Sequence, residues 1–547
     1  MAAQSLLAAA ALAGALTCGT EPGLGRELIL RHVARAALPS PRPVARATSP
    51  RAAGPQDVVL VEDRQDVILR RNAFDLDGAG LRFMPAGPEA YAVTRVDRPV
   101  ETATATLALD ADGAQPVDLP FSFAFYGAPH GRAFVHADGT LTFERADAGP
   151  GYRGLGRFVD GPPRVAALLA DLDPPRGGSV GVRLEAARAV FVWRAVPGAT
   201  QINANTFSIT LHADGAIDLA WERVETREVL VGVTPGRGRP VTQADLGRGA
   251  PAAGALVERF NEAEELDLVA TVRRVLAERG DGFDQLVLYT TRPLNPFPGT
   301  LAFQVNVRNA IRGIGLDVAD DSRDWGSGGV LESVVYMDAV DTFRDHDAFE
   351  FLGHEVGHRW LARARHRAAG GASGALLGRG AVHWSFFLDS DASVMEGNEI
   401  EDLGGGRFRT TDIARRFSPL DQYLMGLRPP EEVPPFFHVE APDEFRPDRP
   451  YKPSSGPESG VTFSGSRRDV TVADVIAALG PREPAAGPSP PWRVAFVLVA
   501  DDQAPATPDR LAVVDRIRAR FEPWYVEATA GRGRARTTVG VGGQVLH

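Results

Sequence analysis

This chain has one cysteine in 547 residues, no long basic run and no apolar stretch long enough to cross a bilayer as a helix. A single thiol, Cys18, excludes an internal disulfide, and by the same count a zinc site built from cysteines is not expected. Phosphate backbones need clustered Lys and Arg, so a net charge of −11 without such clusters excludes nucleic acid as a partner. A composition of 44% hydrophobic and 24% charged residues is that of a soluble globular protein. The length suffices for two or three domains, each with its own core.

At the N-terminus, Leu6 to Leu16 is an Ala/Leu run of the length of a signal-peptide apolar region. No Lys or Arg precedes it, which a misplaced start would explain. A lone Cys18 directly after the run resembles a bacterial lipoprotein signal, although Ala15-Leu16-Thr17 departs from the usual lipobox. The resemblance implies a secreted or cell-envelope protein, with a lipid anchor at Cys18 as its only membrane contact. A helical tail on a cytosolic protein is the plainer alternative. Ala37 to Gln56 is rich in Pro, Arg, Ala and Ser and reads as an extended linker, which makes 1–56 export signal and spacer.

From about Asp57 to Gly238, short alternating apolar runs are broken by Asp-Gly turn words at Asp112-Gly113, Asp138-Gly139 and Asp214-Gly215. This is the pattern of an all-β sandwich or barrel. Phe121 to Phe125, Ala133 to His136, Ala189 to Trp193 and Thr206 to Leu211 are the clearest strands. The words from Leu119 to Gly127, Ala137 to Phe143, Ala170 to Pro174 and Val231 to Gly236, recurring in that order, resemble the nidogen-type extracellular β domain. That resemblance implies a binding or spacing module without chemistry of its own, placed at 57–250. Asp171 and Asp173 beside Pro174 read as turn formers, with a calcium site as the alternative.

Leu256 to Arg279 carries helical spacing, Phe283 to Thr291 and Val330 to Met337 read as strands, and then comes His354-Glu355-Val356-Gly357-His358. Residues four apart share a helix face, so both imidazoles of this H-E-x-x-H word can hold one Zn²⁺ while Glu355 lies beside the attacking water. Asp347 and Glu350 have the spacing of a capping box, and no Pro occurs from there to His366, which predicts about five turns of helix. Phe349, Leu352, Val356, Trp360 and Ala364 would form its buried stripe, with Arg359, Arg363 and Arg367 towards solvent. Two satisfied histidines on an amphipathic core helix are the bland reading of the same word.

A catalytic zinc needs three protein ligands and an open position. His366 would lie about 12 Å further along a continuing helix and reads as a surface residue. Beyond a Gly-rich return, His383 is the favoured third ligand. Glu396 or Glu399 would give a Glu-completed site instead, and Asp389, Asp391 and Asp421 also stay open. Ser393-Val394-Met395, twelve residues after His383, resembles the Met-turn of metzincins, some of which, leishmanolysin-like ones included, carry a long insertion before the third His. For His383 the bland reading is a buried histidine bonded to backbone. Tyr423 is either an oxyanion donor or, on helical spacing after a cap near Ser418, a core residue with Leu420, Leu424 and Leu427. Towards the C-terminus, Thr471 to Leu479 and Arg510 to Phe521 read as helices flanking a strand at Val494 to Val499.

These readings assemble into a multidomain chain: an N-terminal all-β sandwich-like domain followed by an α+β zincin-type catalytic domain over 251–547. The expectation is a zinc-dependent endopeptidase, with Zn²⁺ on His354, His358 and His383, Glu355 as general base and a protein or peptide as substrate. A zincin fold that has lost catalysis and acts in adhesion through its β module is the alternative, and metal-dependent hydrolysis of a non-peptide bond would use the same residues.

Overall fold

The computed structural model describes residues 17–21, 23–36, 57–297, 299–344, 349–442 and 451–538. The apolar run at Leu6 to Leu16, the linker at 37–56 and the cap residue Asp347 lie outside them. Among the described residues, no helix is long and apolar enough to cross a membrane. The chain is β-rich and divides into two compact units, one comprising Ile68–Asp267 with Arg26–Arg42, the other the remainder.

In the first unit, a seven-stranded and an eight-stranded sheet enclose one apolar core. Strands alternate inward and outward side chains, so Phe123, Phe125, Val135, Phe191, Trp193, Phe207, Ile209 and Trp221 all reach that core. The four clearest sequence-read strands lie within Ala114–Phe125, Ala128–His136, Arg188–Val196 and Asn205–His212. Both ends of the unit differ from the expected 57–250. Val58–Glu62 joins the other unit's sheet, whereas Ala255–Phe260, expected as helix, pairs with Val229–Thr234. All six residues of Ala255–Phe260 are buried, so continuous burial within a sheet overrides the helical spacing of its apolar residues. Only Leu268–Arg279 of that stretch is helical.

The stretch expected as signal and spacer also contributes ordered elements. Leu24–Ala36 is a helix whose Leu30 and Ala34 pack on Leu155, Phe158 and Leu169. Its Arg31, buried, pairs with Glu27 at 2.9 Å and Glu265 at 3.2 Å.

In the second unit the central sheet runs in the order Thr17–Cys18, Thr300–Asn306, Ser333–Ala339, Gln285–Thr290, Trp492–Ala500, Val58–Glu62. The last four of these strands pair in parallel; Thr300–Asn306 is antiparallel to Ser333–Ala339, and Thr17–Cys18 is parallel to Thr300–Asn306 at the outer edge. Helix Pro508–Ala528 covers this sheet through Leu511, Val514, Ile517 and Phe521, and the helix Phe349–Gly357 shares the same core.

This helix, which carries the H-E-x-x-H word, is shorter than the expected five turns. It ends at Gly357, passes through a turn at His358–Trp360, and the chain then reverses at Ala362, whose φ is +59°. The apolar stripe from Phe349 to Ala364 is buried as expected, but Arg359 is not in solvent: it turns inward to Glu332 at 2.7 Å and Asn309 at 3.2 Å. Arg363 is half-buried and donates to the carbonyl of His358, and only Arg367 of the three is exposed. His366, read as a surface residue, is buried with its ring 5.3 Å from that of His438.

Candidate metal centre

His354 lies on the last turn of the helix Phe349–Gly357 and His358 directly follows its end, its amide still bonded to His354 O at 3.2 Å, and His383 reaches them from the segment after the Gly-rich return. The Nε2 atoms of His354 and His358 are 3.0 Å apart, and the His383 ring lies 5.0 Å from each of the other two. A fourth residue joins them. Cys18 Sγ is 3.3 Å from His358 Nε2, and the ligand atoms of Cys18, His354, His358 and His383 all lie within 4.8 Å of one another. All four side chains are buried, and among the described residues no other group of three or more His, Cys, Asp or Glu comes together in this way. Asp171 and Asp173 therefore form no such group, and Asp171 faces Arg153.

The backbone fixes which ring nitrogens point inward. A carbonyl can only accept, so His354 donates from Nδ1 to Val394 O at 2.8 Å and His383 donates from Nδ1 to Arg379 O at 2.7 Å. Both Nε2 lone pairs are thereby turned towards the cluster. Burial pushes the pKa of all three imidazoles down, for His383 to about 3, so that they are neutral and able to coordinate. Tetrahedral zinc, with bonds of about 2.0–2.1 Å to nitrogen, sets its ligand atoms roughly 3.3 Å apart. Three imidazoles and one sulfur whose ligand atoms lie within 4.8 Å of one another, two of the pairs at 3.0 and 3.3 Å, fit that ion.

Glu355 points into the same space from the active helix. It is fully buried; Oε1 has no side-chain or backbone partner, Oε2 accepts from Thr20 Oγ1 at 3.2 Å, and burial raises its pKa to about 8. Arg379 borders the cluster. It donates to His383 Nε2 at 3.0 Å, an arrangement that coordination would replace, and its charge is met by Glu396, to which it is hydrogen-bonded from Nε and Nη2.

The other sequence-read candidates have separate employment. Glu396 is engaged with Arg379, with its carboxylate 3.7 Å from His383 Nε2. Glu399 lies on the strand Asn398–Gly404, Asp389 accepts from the Ile400 amide, and Asp391 pairs with Arg416. Asp421 caps the helix Pro419–Met425 with Ser418, and it accepts from Trp384 Nε1 at 2.9 Å and Ser393 Oγ at 2.6 Å. Tyr423 is a core residue on that helix, where its hydroxyl accepts from the Arg482 amide at 3.1 Å, so it does not aim at the cluster.

Ser393-Val394-Met395 does lie beneath the histidines. Val394 O holds His354, and Met395 O accepts from the Trp384 amide at 3.0 Å, next to His383. A Cβ on Gly357 would stand 2.6 Å from Met395 Sδ, so the active helix and this turn approach as closely as a glycine allows.

Sequence reasoning excludes cysteine from the site and leaves out Thr20 and Arg379. The available signal is the isolation of Cys18: a chain with one thiol and one zinc word has a ready partner for that thiol. No family model, curated protein or solved structure matches this chain.

Proposed function

We propose that the chain is a zinc-dependent peptidase whose centre is carried by His354, His358 and His383. The observation behind this reading is the convergence of three neutral imidazoles, two of them oriented by backbone carbonyls, beside the buried carboxylate of Glu355. When bound there, zinc would supply Lewis acidity, polarising a scissile carbonyl and making water a nucleophile near neutral pH. Glu355 takes the proton from the attacking water through its unpartnered Oε1 and passes it to the leaving amine. The Val394 and Arg379 carbonyls hold two of the imidazoles in one tautomer throughout. The β unit, with its resemblance to an extracellular module, would serve in binding or spacing.

The test is hydrolysis of a peptide library by the Cys18→Ala chain, in which the thiol no longer stands among the histidines. One zinc per chain and cleavage abolished by a chelator are expected, together with a loss of about 10²–10⁴-fold in the added Glu355→Gln variant at unchanged zinc content. Cleavage that survives Glu355→Gln would sink the mechanism. Full zinc with no cleavage would favour a binding protein acting through the β unit.

A further inference from the structure

The segment that leads from His383 to Met395 also forms one wall of a cavity that the chemistry above does not use. Its volume is about 260 Å³, below the roughly 300–1,000 Å³ of sites that take a drug-sized ligand, so it has room for one long side chain. Trp384, Leu388 and Leu420, all buried, line it together with the half-buried Phe436, and the exposed Pro434 and Pro435 border it. Neither Glu355 nor any residue of the histidine cluster belongs to the lining.

The polar part of the lining is acidic. Its two serines are engaged with backbone: Ser390 Oγ donates to Asn398 O and Ser418 Oγ accepts from the Asp421 amide, each at 3.0 Å. Asp391 is paired with Arg416. Asp389 has no such partner. Its amide donates to Phe437 O and its Oδ1 accepts from the Ile400 amide, both at 2.9 Å, so backbone fixes the residue at either end. Among the described residues no Lys, Arg or His pairs with it, and the charges that act on it, Asp391 and Glu399, have its own sign. Burial first, and then those two carboxylates, raise its pKa to about 6, which leaves it ionised at neutral pH.

A carboxylate withdrawn from water without a countercharge costs the fold stability, and a cation brought to it offsets that cost. Aromatic side chains add attraction for a cation, and apolar walls cover an aliphatic stem. An anion would instead meet the charges of Asp389 and Asp391. We propose that this cavity binds the side chain of a Lys or Arg residue of a polypeptide, with Asp389 meeting the cationic head and Trp384, Leu388 and Phe436 enclosing the stem. The volume admits a side chain and leaves the main chain outside, where Pro434 and Pro435 are exposed. None of the lining residues is a ligand in the zinc reading, so the cavity stands or falls apart from it.

The experiment titrates the full chain calorimetrically with three probes: acetyl-arginine methylamide, acetyl-norleucine methylamide of similar length without the charge, and butylguanidine, the head and stem alone. The arginine probe should bind about tenfold or more tightly than the norleucine probe, and Asp389→Asn, which keeps an oxygen for the Ile400 amide, should remove that preference. Asp391→Asn, whose carboxylate already has Arg416, should weaken arginine binding by less than about fivefold. The preference shown by the unaltered chain needs no variant to fold. Equal affinity for the arginine and norleucine probes overturns the proposal, as does a preference that persists in Asp389→Asn. Butylguanidine bound more tightly than the arginine probe overturns the assignment to a polypeptide and makes a free amine the ligand. A chain that binds no zinc but keeps the Asp389-dependent preference overturns the zinc reading and supports the cavity.

Discussion

His354 and Val394, forty positions apart in the chain, are joined by a 2.8 Å hydrogen bond from imidazole Nδ1 to carbonyl oxygen. The bond commits His354 to the tautomer whose Nε2 faces the cluster. Through the neighbouring Met395 carbonyl, the same turn also holds the Trp384 amide beside His383. One three-residue turn therefore orients a histidine of the H-E-x-x-H word and steadies the segment that brings the third.

On the proposed reading His383 is the third ligand. His383→Ala should weaken zinc binding by more than about 100-fold, beyond what loss of an orienting partner costs, whereas Glu396→Ala should retain about one equivalent. Metal stoichiometry after dialysis and competition with a chromogenic chelator measure both. Full zinc in His383→Ala would remove it from the ligand set and return Glu396 to consideration.

The active helix is packed to the limit on two sides. A Cβ on Gly353 would lie 1.9 Å from Trp524 Cη2, and one on Gly357 would lie 2.6 Å from Met395 Sδ. The Trp524 indole, partly buried and stacked on Phe349 and Phe521, is a rigid ring that can move only as a whole, while a thioether can swing aside. Gly353→Ala should therefore cost more than about 3 kcal/mol and Gly357→Ala about 1–2 kcal/mol, with Met395→Ala restoring part of the latter. Urea denaturation ranks the variants; equal costs would contradict the packing account.

The β sandwich is legible in the sequence because alternation and Asp-Gly turns are local signals, and the H-E-x-x-H word because its spacing is itself the geometry. Glu355 and both histidines can be placed from five residues. What lies beyond local pattern is misread for identifiable reasons. Arg359 looks solvent-facing by helical spacing, but the helix stops at Gly357 and Glu332, from a distant segment, draws the guanidinium inward. Ala255–Phe260 has apolar spacing that suits a helix, yet strand pairing on both sides decides its form. The contact of Cys18 with the histidines has no local signal, because its place is set by Thr300–Asn306, about 280 positions away in the order of the chain.

Asp421 has three buried donors, Trp384 Nε1, Ser393 Oγ and the Ser418 amide, and as an acceptor it satisfies them all. An asparagine in its place would turn an amide N–H₂ towards at least one of them. Asp421→Asn should thus cost about 1–3 kcal/mol of stability, and by loosening Trp384 and Ser393 it should weaken zinc binding by about 10–100-fold. Tyr423→Phe removes the acceptor of the buried Arg482 amide at a similar cost of about 1–3 kcal/mol, but should leave zinc affinity and turnover unchanged. A loss of turnover in Tyr423→Phe at full folding would revive the oxyanion role.

In the β unit, Asp218 provides a pH signature. Burial acts to raise its pKa, but hydrogen bonds from His212 and Arg82 and the charges of Arg98 and Arg82 outweigh that and hold it down to about 2. An aspartate is near 3.9 in the unfolded chain, so the folded state binds the proton less readily. The resulting stability is present in full above about pH 4 and is lost as pH falls through about 2, with a size of roughly 2–3 kcal/mol. Asp218→Asn should accordingly weaken hydrogen-exchange protection of Asn205–His212 and Ile217–Arg223 at pH 7, and differ little from the unaltered chain near pH 2. Exchange rates in the full chain, corrected for the intrinsic pH dependence, give the comparison. A difference between the two chains as large at pH 2 as at pH 7 would show that the ion pairs around Asp218 are not its source.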